Sequence, residues 1–444
     1  MRTLLIVLLL ALAGCATAPS KAPPAPAFAA ATVQAQALAA HHAGLSGKAR
    51  RVNTDAIEQL LAQLDDATLA HDAAKLPTGD PLYNFAGRVL LRRGLPLPHP
   101  FDRGDASFGA ANRPAADRDG YRPPLRVAVL LPLTGTQAAA AEAVRDGYMT
   151  GYYSETRRRP ELRFYDTAAG MNAALARAAA DGNDFAVGPL GREETDSVFA
   201  AEPPLPLLAL NRGTRAPVAG SAAFSLSPED EGLSLAQVLI ERGSKHVLLI
   251  AGNDEAQRRT AEAAQAQLER RGVKVTSLGF STQMGAALAQ QQGPAADSLL
   301  LVLKGPQARS LIPQLVLANL GQLPRYASSQ LTSGTGKPTE DMALDGTIFP
   351  TEPWLIRNVP GLPSQASAAA RVETAKGPAA RLFAFGIDAW RLTAYLESLA
   401  QQPNARISGA TGQLSLDGFG NVLRRPGWSR FSAGVAVPLA DGAH

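Results

Sequence analysis

The chain has 444 residues, of which 46% are hydrophobic and 18% charged, so it can bury a sizeable core, and its length fits two or three domains. Lys and Arg number 43 against 39 Asp and Glu, a net charge of +4 with no concentrated basic stripe, which argues against a nucleic-acid binder. A single cysteine excludes a disulfide framework, and with only six histidines neither a zinc site nor any other metal centre or cofactor is expected.

That cysteine closes the first readable segment. In MRTLLIVLLLALAGC one early charge, Arg2, precedes an apolar stretch too short to span a bilayer and suited to the apolar region of a signal peptide. Leu12-Ala13-Gly14-Cys15 resembles a bacterial lipobox, in which the cysteine is acylated and becomes the first residue of the mature protein. Residues 1–14 therefore read as a signal peptide and Cys15 as a lipidation site carrying enough acyl chain for stable membrane residence. Ala16 and Thr17 follow with no aspartate, which in lipoproteins of enteric type goes with outer-membrane transport, so the expected location is the periplasmic face of the outer membrane.

Residues 15–44 are rich in Pro and Ala and read as a lipid-anchored linker. A short helical segment is expected over 45–98. Ile57, Leu60, Leu61 and Leu64 keep helical spacing behind Asp55 and Glu58, placed like a cap and its reciprocal partner. Leu82, Phe85, Ala86, Val89 and Leu90 form a second pattern, stopped by Gly94 and Pro96. A second linker, dense in Pro, Gly and charge, is expected over 99–124.

From 125 onward strand and helix alternate. Strands are expected at 125–131, 162–165, 185–187, 205–210, 245–251, 273–278 and 298–303, and helices at 138–153, 171–180, 192–200, 230–242, 255–271 and 307–319. Apolar strands alternating with helices mean parallel sheets covered on both faces. A break near 216–227 divides the expected domain of 125–444 into two lobes. The first takes 125–226 and 346–405, and the second takes 227–345 and 406–444. Arg157-Arg158-Arg159 reads as a solvated helix end, with an anionic partner as the other reading. Residues 361–377 read as a mobile loop, 379–401 as a long helix, and Asp417-Gly418 as a hairpin turn near the end of the chain.

Catalytic and nucleotide signatures fail on inspection. The turn after the first strand, Pro132 to Gln137, carries one glycine where a dinucleotide fingerprint needs three. SGTGKPT (333–339) lacks the first glycine of a phosphate loop, since that position is Leu331. Gly232-Leu233-Ser234-Leu235-Ala236 lacks the last glycine of a nucleophile elbow and lies in a helical pattern. No serine precedes a lysine by three positions, and His246 opens a strand at the edge away from the crevice. The acidic pairs Glu193-Glu194 and Asp230-Glu231 sit at helix starts, where they complement the dipole.

A crevice beyond the carboxyl ends of the strands is what remains. Its candidate lining is Thr134 and Gly135 after the first strand, Asp166 and Thr167 after the second, Gly188 and Pro189 after the third, and Asn211 and Arg212 after the fourth. Asn253 and Asp254 would face them from the other lobe. These residue types can hydrogen-bond a polar solute, and equally they are ordinary turn and cap residues.

Several stretches in order point further. VAVLLPLTG (127–135), AEAVRDGYMTGYY (141–153), FAVGPLGREE (185–194), PLLALNR (206–212) and GATGQLSLDGFGNVLRRPGWSRF (409–431) together resemble the C-terminal domain of the penicillin-binding-protein activator lipoproteins of LpoA type. The resemblance implies an α/β fold, a two-lobed type I periplasmic-binding-protein-like domain preceded by a short α-helical segment. It implies as function the binding and activation of a bifunctional class A penicillin-binding protein (1A type), stimulating peptidoglycan synthesis and crosslinking without chemistry of its own. Family members of enteric type carry a large helical repeat domain ahead of this one, whereas here about eighty residues are available. The alternative is a periplasmic solute-binding sensor or uptake lipoprotein using the crevice, which could also admit a cell-wall fragment.

Overall fold

The computed structural model describes residues 28–102, 108–109, 113–290, 296–402 and 404–440. Cys15 and the signal-peptide reading lie outside the described residues. Among the described residues no helix is long and apolar enough to cross a membrane.

Four helices come first: α1 (Ala30–His42), α2 (Gly47–Ala62), α3 (Asp66–Lys75) and α4 (Tyr83–Arg92). The expected linker over 15–44 is thus corrected in its second half. The alanine run that looked like spacer has high helix propensity, and Ala35 and Ala39 are buried in a core shared with Ile57, Leu61, Leu69, Phe85 and Leu90. The expected cap is corrected too. Because α2 begins at Gly47, Asp55 and Glu58 lie inside it, and Glu58 pairs with Arg88 and Arg92 of α4 instead.

The first lobe is built from β1 (Arg126–Leu131), α5 (Ala138–Ser154), β2 (Glu161–Asp166), α6 (Met171–Ala180), β3 (Phe185–Val187), α7 (Arg192–Ala200), β4 (Leu207–Ala209) and β5 (Ser221–Ala223). Its five strands are all parallel, in the order β2-β1-β3-β4-β5. The chain then crosses to α8 (Pro228–Glu241), β6 (His246–Ala251), α9 (Glu255–Arg270), β7 (Lys274–Gly279), α10 (Gly285–Ala289), β8 (Ser298–Val302), α11 (Gly305–Leu317), β9 (Arg325–Ala327), α12 (Pro338–Asp341) and β10 (Ile348–Thr351). It crosses back to α13 (Pro353–Ile356), α14 (Gln365–Ala369), α15 (Ala380–Gln401), β11 (Ile407–Ser408), β12 (Gln413–Leu416) and β13 (Val422–Arg425), and returns a last time to β14 (Gly427–Ser432) and β15 (Val435–Pro438).

The second sheet runs β15-β14-β10-β9-β8-β6-β7. Its parallel part, β10-β9-β8-β6-β7, repeats the winding of the first sheet read backwards, and β14 and β15 extend it antiparallel. This sheet membership differs from the expected lobe boundaries. Residues 346–351 belong to the second lobe because β10 pairs β9 and β14. Residues 406–425 belong to the first, because Leu414 and Val422 are buried in its core beside Phe224 and Phe385.

Packing explains two further departures. α15 lies against α5 at backbone contact: a Cβ on Gly147 would meet the Phe383 carbonyl oxygen at 1.9 Å, and one on Gly386 the Val144 oxygen at 2.1 Å. The segment expected to be a mobile loop, 361–377, is docked on this pair. It carries α14, buries Ala368 and Ala375, and gives a hydrogen bond from Thr374 Oγ1 to Asp146 at 2.8 Å. The expected linker 99–124 is also packed where it is described. Arg122 pairs with Glu397 of α15 at 2.8 Å, and Tyr121 meets the Tyr395 ring edge-on.

Arg157, expected to be solvated, lies 3.7 Å over the Tyr121 ring and bonds Glu155, Asp119 and the Tyr395 hydroxyl. The arginine run therefore fastens the connecting segment to the first lobe.

Candidate functional site: the interlobe crevice

The candidate residues lie in the turns that follow the carboxyl ends of the parallel strands, which is where open α/β sheets place their ligand crevice. Thr134, Gly135 and Asp166 are exposed at the ends of β1 and β2. They serve each other first. Asp166 accepts from Thr134 Oγ1 at 2.7 Å, Leu133 N at 2.9 Å and Ala168 N at 3.0 Å, and these donors, Thr134 foremost, hold its carboxyl below the usual carboxylate range.

Thr167 is buried and donates its N–H to the Leu131 carbonyl, so it joins β2 to β1 rather than facing solvent. Gly188 and Pro189 are buried as well. Gly188 has φ +118° and passes so close to β1 that a Cβ would meet the Leu130 oxygen at 2.0 Å, so only glycine fits this turn.

Asn211 donates to the Leu190 carbonyl and accepts from Arg212 N, each at 2.8 Å. Arg212 reaches across the lobes to Asp230 at 2.9 Å. On the second lobe Asn253 is exposed, while Asp254 caps α9 through Gln257 N at 2.8 Å and pairs with Lys304 at 3.0 Å. Partial burial pushes the Asp254 carboxyl up, but the Gln257 N–H and Lys304 outweigh it and hold it low. The structure thus brings Thr134 to Asp166 and Arg212 to the opposite lobe, and it leaves Thr167, Gly188 and Pro189 as framework.

A buried ion network that no sequence pattern signals lies between the lobes. At the crossovers between lobes, Arg381 at the start of α15 donates to Glu352 at 2.8 Å and to Glu231 of α8 at 3.2 Å. Glu231 also accepts from Ser329 N at 2.6 Å and Ser329 Oγ at 2.7 Å. Arg424 of β13 lies 4.0 Å from Glu352 and donates to the Thr411 carbonyl at 3.0 Å. The glutamates are 5–6% exposed and Arg424 8%, while Arg381 keeps 30% of its side chain open, so two carboxylates and two guanidiniums balance in a largely buried site that water reaches only from the Arg381 side.

Burial alone disfavours the charge on Arg381, but Glu352 and Glu231 more than offset it and raise its pKa. Burial pulls Arg424 the other way. Nearby, Glu229 binds Arg259 through two hydrogen bonds at 2.8 and 2.9 Å and has Arg192 of the first lobe at 4.0 Å. Partial burial would raise its carboxyl, yet Arg259 and Ser227 hold it at about 2. No spacing rule announces such contacts, because Glu231 and Arg381 lie 150 residues apart.

Two cavities adjoin this network. One of about 450 Å³ is lined by Asp254, Glu255, Arg259, Lys304, Gln330 and Ser333, all of the second lobe. The other, of about 270 Å³, is largely apolar, with Leu355, Ile356 and Phe431 among its walls. Among the described residues there is no group of three His, Cys, Asp or Glu side chains able to hold a metal.

A family model described as "LppC putative lipoprotein" matches residues 121–277 and 276–434, which is both lobes and well over half the chain. The chain belongs to the LppC lipoprotein family. It is 27% identical over 317 residues to the penicillin-binding protein activator LpoA of Klebsiella pneumoniae, a match covering 63% of this chain and 45% of that protein. The chain spans about half the length of the curated relatives it matches.

Among solved structures, the C-domain of LpoA from Haemophilus influenzae, described as a regulator of PBP1A, is covered completely. The match takes in 71% of this chain with a TM-score of 0.61 at 24% identity. A "putative branched-chain amino acid ABC transporter" structure from Chromobacterium violaceum is likewise covered completely, over 69% of this chain, with a TM-score of 0.56 at 27% identity. The fold of this LppC-family chain is therefore the type I periplasmic-binding-protein-like one, with a helical segment ahead of it.

Proposed function

We propose that this chain is an outer-membrane lipoprotein, anchored through Cys15, that binds a bifunctional class A penicillin-binding protein and stimulates its peptidoglycan synthesis and crosslinking without chemistry of its own. The observation that carries the reading is the family match across both lobes, together with relatives that bear the name of penicillin-binding protein activator. The geometry supports it. Asp166, Arg212 and Asp254, the charged crevice candidates, are already engaged by partners within the chain, and a buried ion network occupies the lobe junction. The lipobox at Cys15 supports the anchor.

A protein acting without reactive groups shifts its target only as far as it binds the active conformation better than the inactive one. A tenfold bias needs about 1.4 kcal/mol of differential affinity, within reach of a modest interface. The test is sedimentation of the soluble mature chain with purified class A penicillin-binding proteins. A stable complex with at least one is expected, and free sedimentation beside every one refutes the reading.

A second reading, a solute-binding lipoprotein, draws on the cavity of about 450 Å³ with Arg259 and Lys304 in its wall. It requires a small solute, or a cell-wall fragment, that raises the melting temperature of the isolated chain.

A further inference from the structure

The α1–α4 segment touches both lobes at defined places. On the first lobe its dock is the turn between β12 and β13. That turn is held from inside by Asp417, whose carboxylate accepts from Phe419 N at 2.8 Å, Asn421 N at 2.7 Å and Asn421 Nδ2 at 2.8 Å. It is held from outside by β5, because Ala223 donates to the Gly420 carbonyl at 2.9 Å and forms a bridge with Asn421. The hairpin therefore closes the free edge of the first sheet and presents Phe419 outward. Phe419 packs on α4, meeting the Phe85 ring edge-on at 4.7 Å and with the Arg88 guanidinium over its ring, 3.8 Å from the centroid. A Cβ on Gly418 would come 2.2 Å from Asn84 Nδ2, so the fit there leaves no slack.

On the second lobe the dock is Gln267 of α9. This amide is fully buried, donates from Nε2 to the Arg93 carbonyl at 2.6 Å just past the end of α4, and accepts from Arg270 at 3.0 Å. A buried amide is costly unless its hydrogen bonds are made, and the Arg93 carbonyl is the partner that Gln267 Nε2 finds. One short helix, α4, is thus fastened through Phe85 and Arg88 to the first lobe and through its C-terminal end to the second.

We propose that the α1–α4 segment is an interlobe brace, which sets the angle of the two-lobed domain from outside and holds it without any ligand in the crevice. The lobes of this fold are joined by three crossovers, at residues 224–227, 352 and 426, a connection that permits hinge motion, and by the pairs Arg212–Asp230 and Arg381–Glu231 at the junction itself. A strap outside the junction adds a restraint on the angle that those pairs do not supply. The inference does not rest on the activator reading and is tested without any partner enzyme.

The mature chain without Cys15 has no cysteine, so two can be introduced for spin labels, Ala176→Cys on the first lobe and Ala286→Cys on the second, both exposed. Pulsed dipolar spectroscopy on this full mature chain is expected to give one narrow interlobe distance. With Phe419→Ala and Gln267→Ala together, amide exchange in α1–α4 is expected to rise and the distance distribution to broaden toward longer values. Gln267→Ala alone, which frees only the second-lobe end, is expected to broaden it too and serves if the double variant does not fold. A broad or two-peaked distribution in the intact chain overturns the proposal. So does unchanged protection of α1–α4 in the double variant, or a narrow distribution once the helices exchange freely.

Discussion

Replacing Arg381 with methionine keeps an apolar stem of similar length and removes the charge that joins the lobes. Glu231 and Glu352, 6% and 5% exposed, would then face one another with only Arg424, 4.0 Å from Glu352, to balance them. Breaking a buried ion pair by deleting one partner costs about 3–5 kcal/mol, because the remaining charge stays in a place water cannot reach. Arg381 keeps 30% of its side chain exposed, which admits some solvent screening and sets the expectation at the lower end, about 3 kcal/mol.

At roughly 2 °C per kcal/mol for a large domain, the melting temperature should fall by about 6 °C. Scanning calorimetry of Arg381→Met, Glu231→Gln and the double variant checks both size and cause. Glu231→Gln in the Arg381→Met background should restore part of the loss, since it removes the stranded charge. An unchanged melting temperature in Arg381→Met, or single effects that simply add in the double variant, would refute the claim that this pairing holds the junction.

Three further outcomes follow from local geometry. Gly386→Ala puts a methyl 2.1 Å from the Val144 oxygen and should lower stability by about 3 kcal/mol through overpacking of α15 on α5; a urea midpoint equal to that of the unaltered chain would contradict it. Asp388, fully buried, accepts from Ala410 N at 2.5 Å, Thr411 N at 2.7 Å and Thr411 Oγ1 at 2.6 Å. Asp388→Asn, which keeps one acceptor oxygen, should therefore cost about 2–3 kcal/mol by urea unfolding, and a loss within error of zero would contradict it. Glu229, held at about 2 when folded against an ordinary 4.5, contributes stability fully present above pH 4.5 and lost as pH falls toward 2. The melting-temperature gap between the unaltered chain and Glu229→Gln should accordingly be constant at neutral pH and close below pH 4.5, and a gap that widens on acidification would contradict the assignment.

The seven expected strands are present: runs such as Val127–Leu131 and Leu299–Val302 are apolar and buried, whereas β2 and β7, at the sheet edges, are mixed in polarity and largely exposed. Strands β5, β9 and β10 were not legible because they are three or four residues long and include Ser221, Arg325 and Pro350. Their state is decided by neighbours in the sheet rather than by their own pattern.

The crevice turns were legible in position, because strand ends are. Their roles were not, since whether Asp166 serves a solute or Thr134 depends on a distance. Glu231 reads as an ordinary first-turn acid of α8, and only the tertiary fold turns it toward Arg381. Alanine-rich α1 looks like spacer in the sequence for a related reason. Alanine carries little hydrophobic signal, and its helix propensity is realised here by packing on α2.

Action of this chain on a peptidoglycan synthase through its surface, as proposed, is measured directly as crosslinked peptide formed from lipid-linked precursor by purified class A penicillin-binding proteins. Adding the soluble mature chain should raise the crosslinked fraction made by at least one of them, while the chain incubated alone with precursor or finished peptidoglycan should yield no product. Crosslinking unchanged for every class A enzyme tested, or turnover by the isolated chain, would contradict that role.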